Sequence, residues 1–334
     1  MSHKNAIVVL ACLLAAPPAL SADKADKIRP EDLLARARSE EILWTKGTPP
    51  LAMQAQLQVA DGKGGWINGE YTFDWESPAE WREEIRFSNY YRLRIGSQEG
   101  YWQATNLNYQ PELVFELDEL LRLKRTLKLE QGERLSKVHI RRRGTVSEEC
   151  SEAKGKFGTS RALCFDGTAG ELLSIDYPST ESGNASDISR VEYSSFKTVD
   201  GKSIPFEIQG FRGGEPALVM TIAKIEAMPE NEAGLFERPA KSEFWATCDD
   251  RTDPEVIHTV VPNFPDPMGS AESVTLYVVI DVDGSPSQIA VIQGGDSELE
   301  AATIAAVRHW RYKPAMCGQT PVRTEGEQTF TIHQ

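Results

Sequence analysis

The sequence predicts an α+β protein, in which a long antiparallel β-sheet with helices precedes a small domain of ββαβ order. Three observations predict this class. Short runs of alternating apolar and polar residues recur between residues 51 and 225, as is typical of half-buried strands. From residue 274 onward, two alternating runs, one helical run and a last extended run follow one another. A mature chain of about 310 residues also favours two domains.

The first 22 residues are typical of a secretory signal peptide. An apolar run from Ala6 to Ala16 precedes small residues suited to cleavage, Ala19-Leu20-Ser21-Ala22. The run is short for a transmembrane helix. Lipid attachment at Cys12 is the less favoured alternative, because apolar rather than polar residues follow it. We therefore expect a soluble mature protein that is exported by the Sec route to the periplasm.

Residues 30–240 are interpreted as one antiparallel domain. Residues 30–44 predict an amphipathic helix with an acidic first turn. A second helix is predicted over residues 111–123. Strands are predicted over residues 51–59, 66–75, 81–87, 90–95, 101–105, 137–142, 162–165, 172–177, 188–197, 204–211 and 217–225. Turns that contain glycine connect them, as at Asp200-Gly201.

Charged and aromatic clusters in this domain have two interpretations each. The charged runs Arg82-Glu83-Glu84 and Arg141-Arg142-Arg143 are interpreted as solvated outer faces of strands. Five aromatic residues could line a ligand groove, although the core of a twisted sheet is the favoured interpretation. These five are Trp66, Trp75, Trp81, Tyr101 and Trp102.

Four cysteines follow the signal peptide, and an even number in an exported protein favours disulfide bonds. Three pairings are possible. We favour Cys150–Cys164, which would close a local hairpin, together with Cys248–Cys317. The second bridge would attach a predicted linker, residues 241–262, to the loop after the C-terminal helix. A metal site is the alternative, but no CxxC motif or histidine cluster supports it.

Residues 263–334 carry the clearest pattern of elements. In the first strand, alternate residues are apolar: Val274, Leu276, Val278, Ile280 and Val282. Asp283-Gly284 forms the turn, and residues 288–293 form the returning strand. Ser297 and Glu300 have the spacing of a capping box. The helix that follows has one apolar face, made of Leu299, Thr303, Ala306, Val307 and Trp310, and Pro314 ends it.

This order of elements resembles the TonB C-terminal domain family. The similarity is carried by Ala306 to Pro314 (Ala-Val-Arg-His-Trp-Arg-Tyr-Lys-Pro), by Pro321-Val322 before the last strand, and by the preceding segment Pro262-Asn263-Phe264-Pro265. Within this pattern, four residues are interpreted as structural: Trp310, Tyr312, Pro314 and Gly284.

The resemblance implies that the edge of the C-terminal sheet binds an extended peptide of an outer-membrane receptor. It places partner contacts at Asn263, Phe264 and Pro265, and along the last strand at Glu327, Gln328, Thr329, Phe330, Thr331 and Ile332. Energy-transducing members have a long Pro-rich spacer and an uncleaved membrane anchor. The short linker and the cleavable signal differ from both, so we expect an adaptor without the energy-transducing role.

Residues 30–240 more weakly resemble periplasmic lipoprotein carriers of the LolA type. The similarity lies in the rhythm of the strands and in two phrases, Asp200-Gly201-Lys202-Ser203-Ile204-Pro205 and Leu235-Phe236-x-x-Pro239. It implies a curved half-barrel sheet with an apolar groove. Transport of a lipid or another apolar ligand is therefore the alternative function.

Composition and motifs argue against other function classes. A chain with a formal net charge of −14 is a poor candidate for binding nucleic acid. The five histidines form no pair at ligand spacing, and the sequence lacks a Gly-x-Ser-x-Gly elbow and a phosphate loop. We therefore expect no catalytic residues, no metal, no cofactor and no enzymatic activity.

Overall fold

The structure is a computed structural model of the chain. It describes residues 28–41, 43–111, 114, 117–118, 127–129, 132–155, 158–177, 188–229, 234–248, 250–263, 272–294 and 296–332. The predicted signal peptide with Cys12 lies outside these residues, as do most of the predicted helix 111–123 and both Phe264 and Pro265.

The first two thirds of the chain are mostly β-structure. One helix, α1 (Pro30–Glu41), precedes the strands. These are β1 (Leu51–Ala60), β2 (Trp66–Ser77), β3 (Glu80–Phe87), β4 (Tyr91–Ser97), β5 (Gly100–Thr105), β6 (Arg134–Leu135), β7 (His139–Arg143), β8 (Val146–Gly155), β9 (Gly158–Asp166), β10 (Leu172–Asp176), β11 (Arg190–Ser194), β12 (Lys197–Val199), β13 (Lys202–Ile204), β14 (Glu207–Arg212) and β15 (Glu215–Ala227).

The last third of the chain has a helix among short and long strands. In chain order these are β16 (Glu243–Ala246), β17 (Arg251–Thr252), β18 (Glu255–His258), β19 (Glu272–Ile280), β20 (Pro286–Gln293), α2 (Ser297–Val307), β21 (Arg311–Lys313), β22 (Ala315–Cys317), β23 (Thr320–Val322) and β24 (Thr324–Ile332).

One large open sheet dominates the fold. Its strand order is β16-β5-β4-β3-β2-β1-β15-β14-β11-β10-β9-β8-β6, with β7 also paired to β8, and all its pairings are antiparallel. A register shift at Gln54/Ala55 interrupts the β1–β15 ladder, and such bulges bend a sheet. The predicted antiparallel meander is therefore confirmed.

The core of this large sheet follows from the alternation in β1. Leu51, Met53, Ala55, Leu57 and Val59 are buried, whereas the glutamines between them are exposed. Helix α1 covers the same core with Leu33, Leu34 and Ala37. Each fully buried leucine of this kind stabilises the fold by roughly 1.5–3 kcal/mol.

Strand β8 was not predicted from the sequence. Its residues include Ser-Glu-Glu and Ser-Glu-Ala-Lys, which do not alternate as a half-buried strand should. The strand forms because β7 and β9 both pair with it. Cys150 lies opposite Cys164 in the β8–β9 ladder, and these two residues form the first disulfide bond.

The last third forms a separate three-stranded sheet of order β20-β19-β24. Helix α2 packs against it through Leu299 and Val307. Two details of the prediction were wrong. The N-cap is Asp296, whose carboxylate accepts from the amides of Glu298 and Leu299, and not Ser297. The helix ends at Val307, so Trp310 lies beyond it and Pro314 does not end it.

The first strand of this sheet is also more buried than the sequence suggested. Alternation with Val274, Leu276 and Val278 would leave the opposite face of the strand toward solvent, yet Tyr277 on that face is only 2% exposed. It forms a cluster with Val279 and with Trp245 of β16, whereas Leu276 and Val278 face the core of the last third. Both faces of β19 are therefore buried.

Residues 241–262, predicted as a linker, contain three short strands that pair with both parts of the molecule. Strand β16 extends the large sheet by pairing with β5, whereas β17 and β18 pair with β22 and β21. The second predicted disulfide, Cys248–Cys317, joins this segment to β22, with its Cα atoms 5.8 Å apart. Both favoured disulfide pairings are thus present.

We expect the double variant Cys248→Ala/Cys317→Ala to lose about 4 kcal/mol of unfolding free energy. A bridge between residues 69 apart restricts the unfolded chain strongly. Both cysteines are only partly buried, so their removal leaves little cavity. Urea unfolding measures the loss, with Thr247→Ala as a neighbouring control. A loss below about 1 kcal/mol would contradict this account.

Candidate functional site

The candidate site is the outer edge of β24. In the three-stranded sheet, β19 is central and β24 pairs with it from Glu272↔Ile332 to Ile280↔Thr324. Among the strands that the structure describes, none pairs with the other side of β24. A strand at a sheet edge can pair with an added extended segment.

Side chains alternate along this edge strand. Glu327, Thr329 and Thr331 are exposed, whereas Gln328 and Phe330 are partly buried. The Phe330 ring packs against Trp310, with ring centroids 5.4 Å apart. The alternation holds one face of the strand on the core and leaves the other face toward solvent.

Two side-chain contacts hold β24 against β19. The hydroxyl groups of Thr329 and Thr275 lie 3.0 Å apart, within hydrogen-bond distance. Nearer the start of the strand, the Tyr277 hydroxyl donates to the Glu325 carboxylate at 2.8 Å. Burial, together with the neighbouring Glu325, raises the pKa of Tyr277 well above its ordinary value, so the phenol stays a donor.

Trp310 connects the two places where partner contacts were predicted. Its indole Nε1 donates to the Val260 carbonyl at 2.9 Å, while its ring contacts Phe330. Val260 lies three residues before Asn263, which is exposed. The segment that leads to Asn263 therefore runs beside Trp310, whose ring packs against Phe330 of β24. Whether Phe264 and Pro265 join them lies outside the described residues.

Tyr312 and Gly284 have structural roles. Tyr312 is buried, and its amide donates to the Gly284 carbonyl at 2.9 Å. Gly284 has a φ of +79°, and a Cβ there would overlap the carbonyl oxygen of Tyr312. The Asp-Gly turn therefore requires glycine for its conformation and for the close approach of two backbones.

The sequence suggested that the two charged runs form solvated faces of strands. The structure instead pairs arginines of both runs with buried glutamates. Glu84 is 6% exposed and pairs with both Arg82 and Arg86. Glu148 is 2% exposed and pairs with Arg141 and Arg143. In the first run the partners lie on one face of the same strand, β3, whereas Glu148 lies on β8 and pairs with arginines of the neighbouring β7. The prediction failed because alternation shows which side chains share a face but not that the face is buried.

A second buried network joins the large sheet to the start of β24. Arg92 is fully buried and donates to Asp118 at 2.5 Å and to Glu83 at 2.7 Å. Arg94 donates to Asp118 at 3.0 Å and lies 3.8 Å from Glu325. Sequence analysis missed these residues, although two arginines on one face of β4, between apolar residues, are a signal for buried pairing.

The five aromatic residues that were predicted to form the core or a groove differ in burial. Trp75 is buried, as expected for the core, but Trp66 is 43% exposed. On the inner side of the large sheet a cavity of about 150 Å³ is lined by Trp44, Met53, Tyr71, Phe73, Glu83, Arg94 and Asp118. Charged side chains thus share this space with aromatic ones.

One group of potential metal ligands occurs among the described residues, namely Glu148, Cys150 and Cys164. Both sulfur atoms form the disulfide bond, so neither is a thiolate that could bind zinc.

Within the described ranges, no helix has the length and apolar character needed to cross a bilayer.

Residues 267–332 match the family model of the Gram-negative bacterial TonB protein C-terminal. The resemblance of the last third is therefore confirmed for these residues. The match supports an envelope-associated, periplasmic protein. No curated protein matches the sequence.

Three solved structures are similar to parts of this chain. A LolA superfamily protein from Nitrosomonas europaea is 9% identical, covers 62% of this chain and 97% of its own, and has a TM-score of 0.40. A putative outer membrane lipoprotein-sorting protein domain from Vibrio parahaemolyticus is 9% identical, with coverages of 62% and 95% and a TM-score of 0.40. A DUF1329 family protein from Desulfovibrio piger is 11% identical, with coverages of 65% and 97% and a TM-score of 0.42. The LolA family named for residues 30–240 recurs here, but TM-scores this low carry no argument about function.

We expect Gly284→Ala to destabilise the chain by about 3 kcal/mol, because a side chain there is strained and overlaps backbone. Gly326→Ala is a matched control, since nothing lies within 4 Å of a Cβ at that position in β24. Urea unfolding of both variants measures the difference. Equal stabilities would show that the turn does not require glycine.

Proposed function

We propose that this protein is a periplasmic binding or adaptor protein that adds an extended peptide of an envelope partner to the edge of β24. The observation that carries this proposal is the topology: β24 ends the three-stranded sheet and has no further partner strand among the described residues. The resemblance to TonB suggests the N-terminal segment of an outer-membrane receptor as the peptide. We propose no catalytic step and no energy-transducing role.

Strand addition needs a rigid edge, and the contacts of β24 provide one. Residues of an antiparallel strand direct their amide and carbonyl groups alternately to its two neighbours. Pairing with β19 occupies one set and leaves the other set for a peptide. The Phe330–Trp310 and Thr329–Thr275 contacts hold the strand extended, so a peptide meets an ordered backbone.

Selectivity would come from side chains beside the edge. Thr329 and Thr331 are exposed and have small side chains, so peptide residues of many kinds could pair opposite them. Apolar residues before Asn263 provide a second contact region, since Ile257 and Val261 are 66% and 82% exposed. A bound peptide with alternating apolar residues would suit both regions.

The alternative from the sequence, transport of a lipid or another apolar ligand, has weaker support. The cavity on the inner face of the large sheet has a volume of about 150 Å³, below the roughly 300–1,000 Å³ of typical ligand pockets. Glu83, Arg94 and Asp118 also line it, and burying charges beside an acyl chain costs free energy. These features favour the peptide-binding edge.

We expect Thr331→Pro to weaken peptide binding by about tenfold, because a proline lacks one ladder donor. Thr331 lies next to the end of β24, so the sheet itself should lose little stability. Thr331→Ala, which retains the amide, serves as the matched control. Binding of peptides from the N-termini of outer-membrane receptors is measured by isothermal titration.

Melting temperatures separate this interpretation from general unfolding. The proline variant should melt within a few degrees of the alanine variant while it binds more weakly. If binding and melting temperature fall together, or if the proline variant binds as well as the unmodified protein, the β24 edge is not the peptide site.

A further inference from the structure

The ribbon that β18 forms with β21 carries a cluster of exposed basic side chains. In its register, Glu255 lies opposite Lys313 and His258 lies opposite Arg311. Arg311 and Lys313 are exposed on either side of the buried Tyr312, so both point away from the core. Two more basic residues are exposed in the turn before β21. We call the whole set the basic patch: His258, Arg308, His309, Arg311 and Lys313.

The cations of the basic patch have no carboxylate partner within the described part of the chain. Cations of the last third form ion pairs there only through Arg251 and Arg323. Arg311 donates instead to the Trp310 carbonyl at 2.6 Å, and Glu255 faces Lys313 across the ladder without an ion pair. The chain has 50 acidic and 36 basic residues, so partners for cations are abundant elsewhere in it. Unpaired cations here favour an anionic partner.

Exposed apolar side chains are concentrated at the same place. Six large apolar side chains are exposed among the described residues, and three of them, Val256, Ile257 and Val261, belong to β18 and the segment after it. A fourth, Val282, lies in the turn whose Gly284 carbonyl accepts from the amide of β21. Apolar groups gathered on a surface and bordered by polar ones mark interaction sites. The surface therefore suits a partner that offers both acidic and apolar side chains.

The basic patch lies close to the end of β24. Trp310, between His309 and Arg311 in the chain, packs on the Phe330 ring with centroids 5.4 Å apart. Its indole also donates to the Val260 carbonyl at 2.9 Å. An extended peptide advances about 3.3 Å per residue, so three residues beyond the ladder cover about 10 Å. A peptide paired with the edge of β24 can thus reach the basic patch with the residues that follow the paired part.

We propose that the basic patch binds acidic side chains of the peptide that adds to β24. This inference rests on the proposed function and specifies its partner: an extended segment whose apolar residues are flanked by Asp or Glu. Arg308, Arg311 and Lys313 can donate to the carboxylates, while Ile257 and Val261 contact the apolar residues. An anionic bilayer is a poorer match, because a chain of formal charge −14 repels a charged surface as a whole. A peptide meets only the nearby charges, since salt screens the distant ones.

Isothermal titration with two forms of one peptide tests the proposal. The first form is an N-terminal peptide of an outer-membrane receptor that contains Asp or Glu, and the second has these residues replaced by Asn or Gln. We expect Arg308→Gln/Lys313→Gln to weaken binding of the acidic form about fivefold and to leave binding of the neutral form unchanged. Lys63→Gln/Arg142→Gln is the matched control, because it removes two exposed charges from the large sheet instead.

A variant of the edge distinguishes failure of this inference from failure of the proposed function. If Thr331→Pro weakens binding of the acidic peptide but Arg308→Gln/Lys313→Gln does not, the edge is the site and the basic patch has no part in it. If neither form binds, or if Thr331→Pro binds as tightly as the unmodified protein, both proposals are wrong.

Two further results would also overturn the inference. Equal weakening of both peptide forms by Arg308→Gln/Lys313→Gln would indicate a structural role, although both side chains are exposed and the melting temperature should not change. Sedimentation of the protein with phosphatidylglycerol vesicles, lost in the same variant while peptide binding is retained, would assign the basic patch to a bilayer.

Discussion

Burial of both faces of β19 is the constraint on which the rest of the structure depends. One face packs against α2 and Trp310, and the other packs against Trp245 of the large sheet. With both faces covered, β19 can only present its two edges, and β20 and β24 occupy these. The position of the exposed edge of β24 follows from this arrangement.

Electrostatics reinforces the same junction. Arg92 and Arg94 are buried in the large sheet, where an unpaired charge costs on the order of several kcal/mol. Asp118 and Glu83 compensate most of this charge, and Glu325 of β24 lies 3.8 Å from Arg94. The first residues of β24 are thereby held against the large sheet. Its later residues, Thr329 and Thr331, remain exposed and suited to a partner strand.

Features set by local sequence could be predicted. The alternation of β1, the three-stranded sheet and both disulfide pairings could be read from neighbouring residues or from cysteine number and position. Features set by distant partners could not. Strand β8 is polar in sequence and exists through its neighbours, Glu148 is buried because arginines of β7 reach it, and Tyr277 is buried because β16 packs on it.

Tyr277 also links the large sheet to the proposed edge. Its ring packs with Val279 and with Trp245 of the large sheet, while its hydroxyl donates to Glu325 at the start of β24. Burial raises the pKa of Tyr277, so this hydroxyl stays protonated at physiological pH. One side chain therefore holds the beginning of β24 in place and leaves the later residues of the strand as the edge that an added peptide would meet.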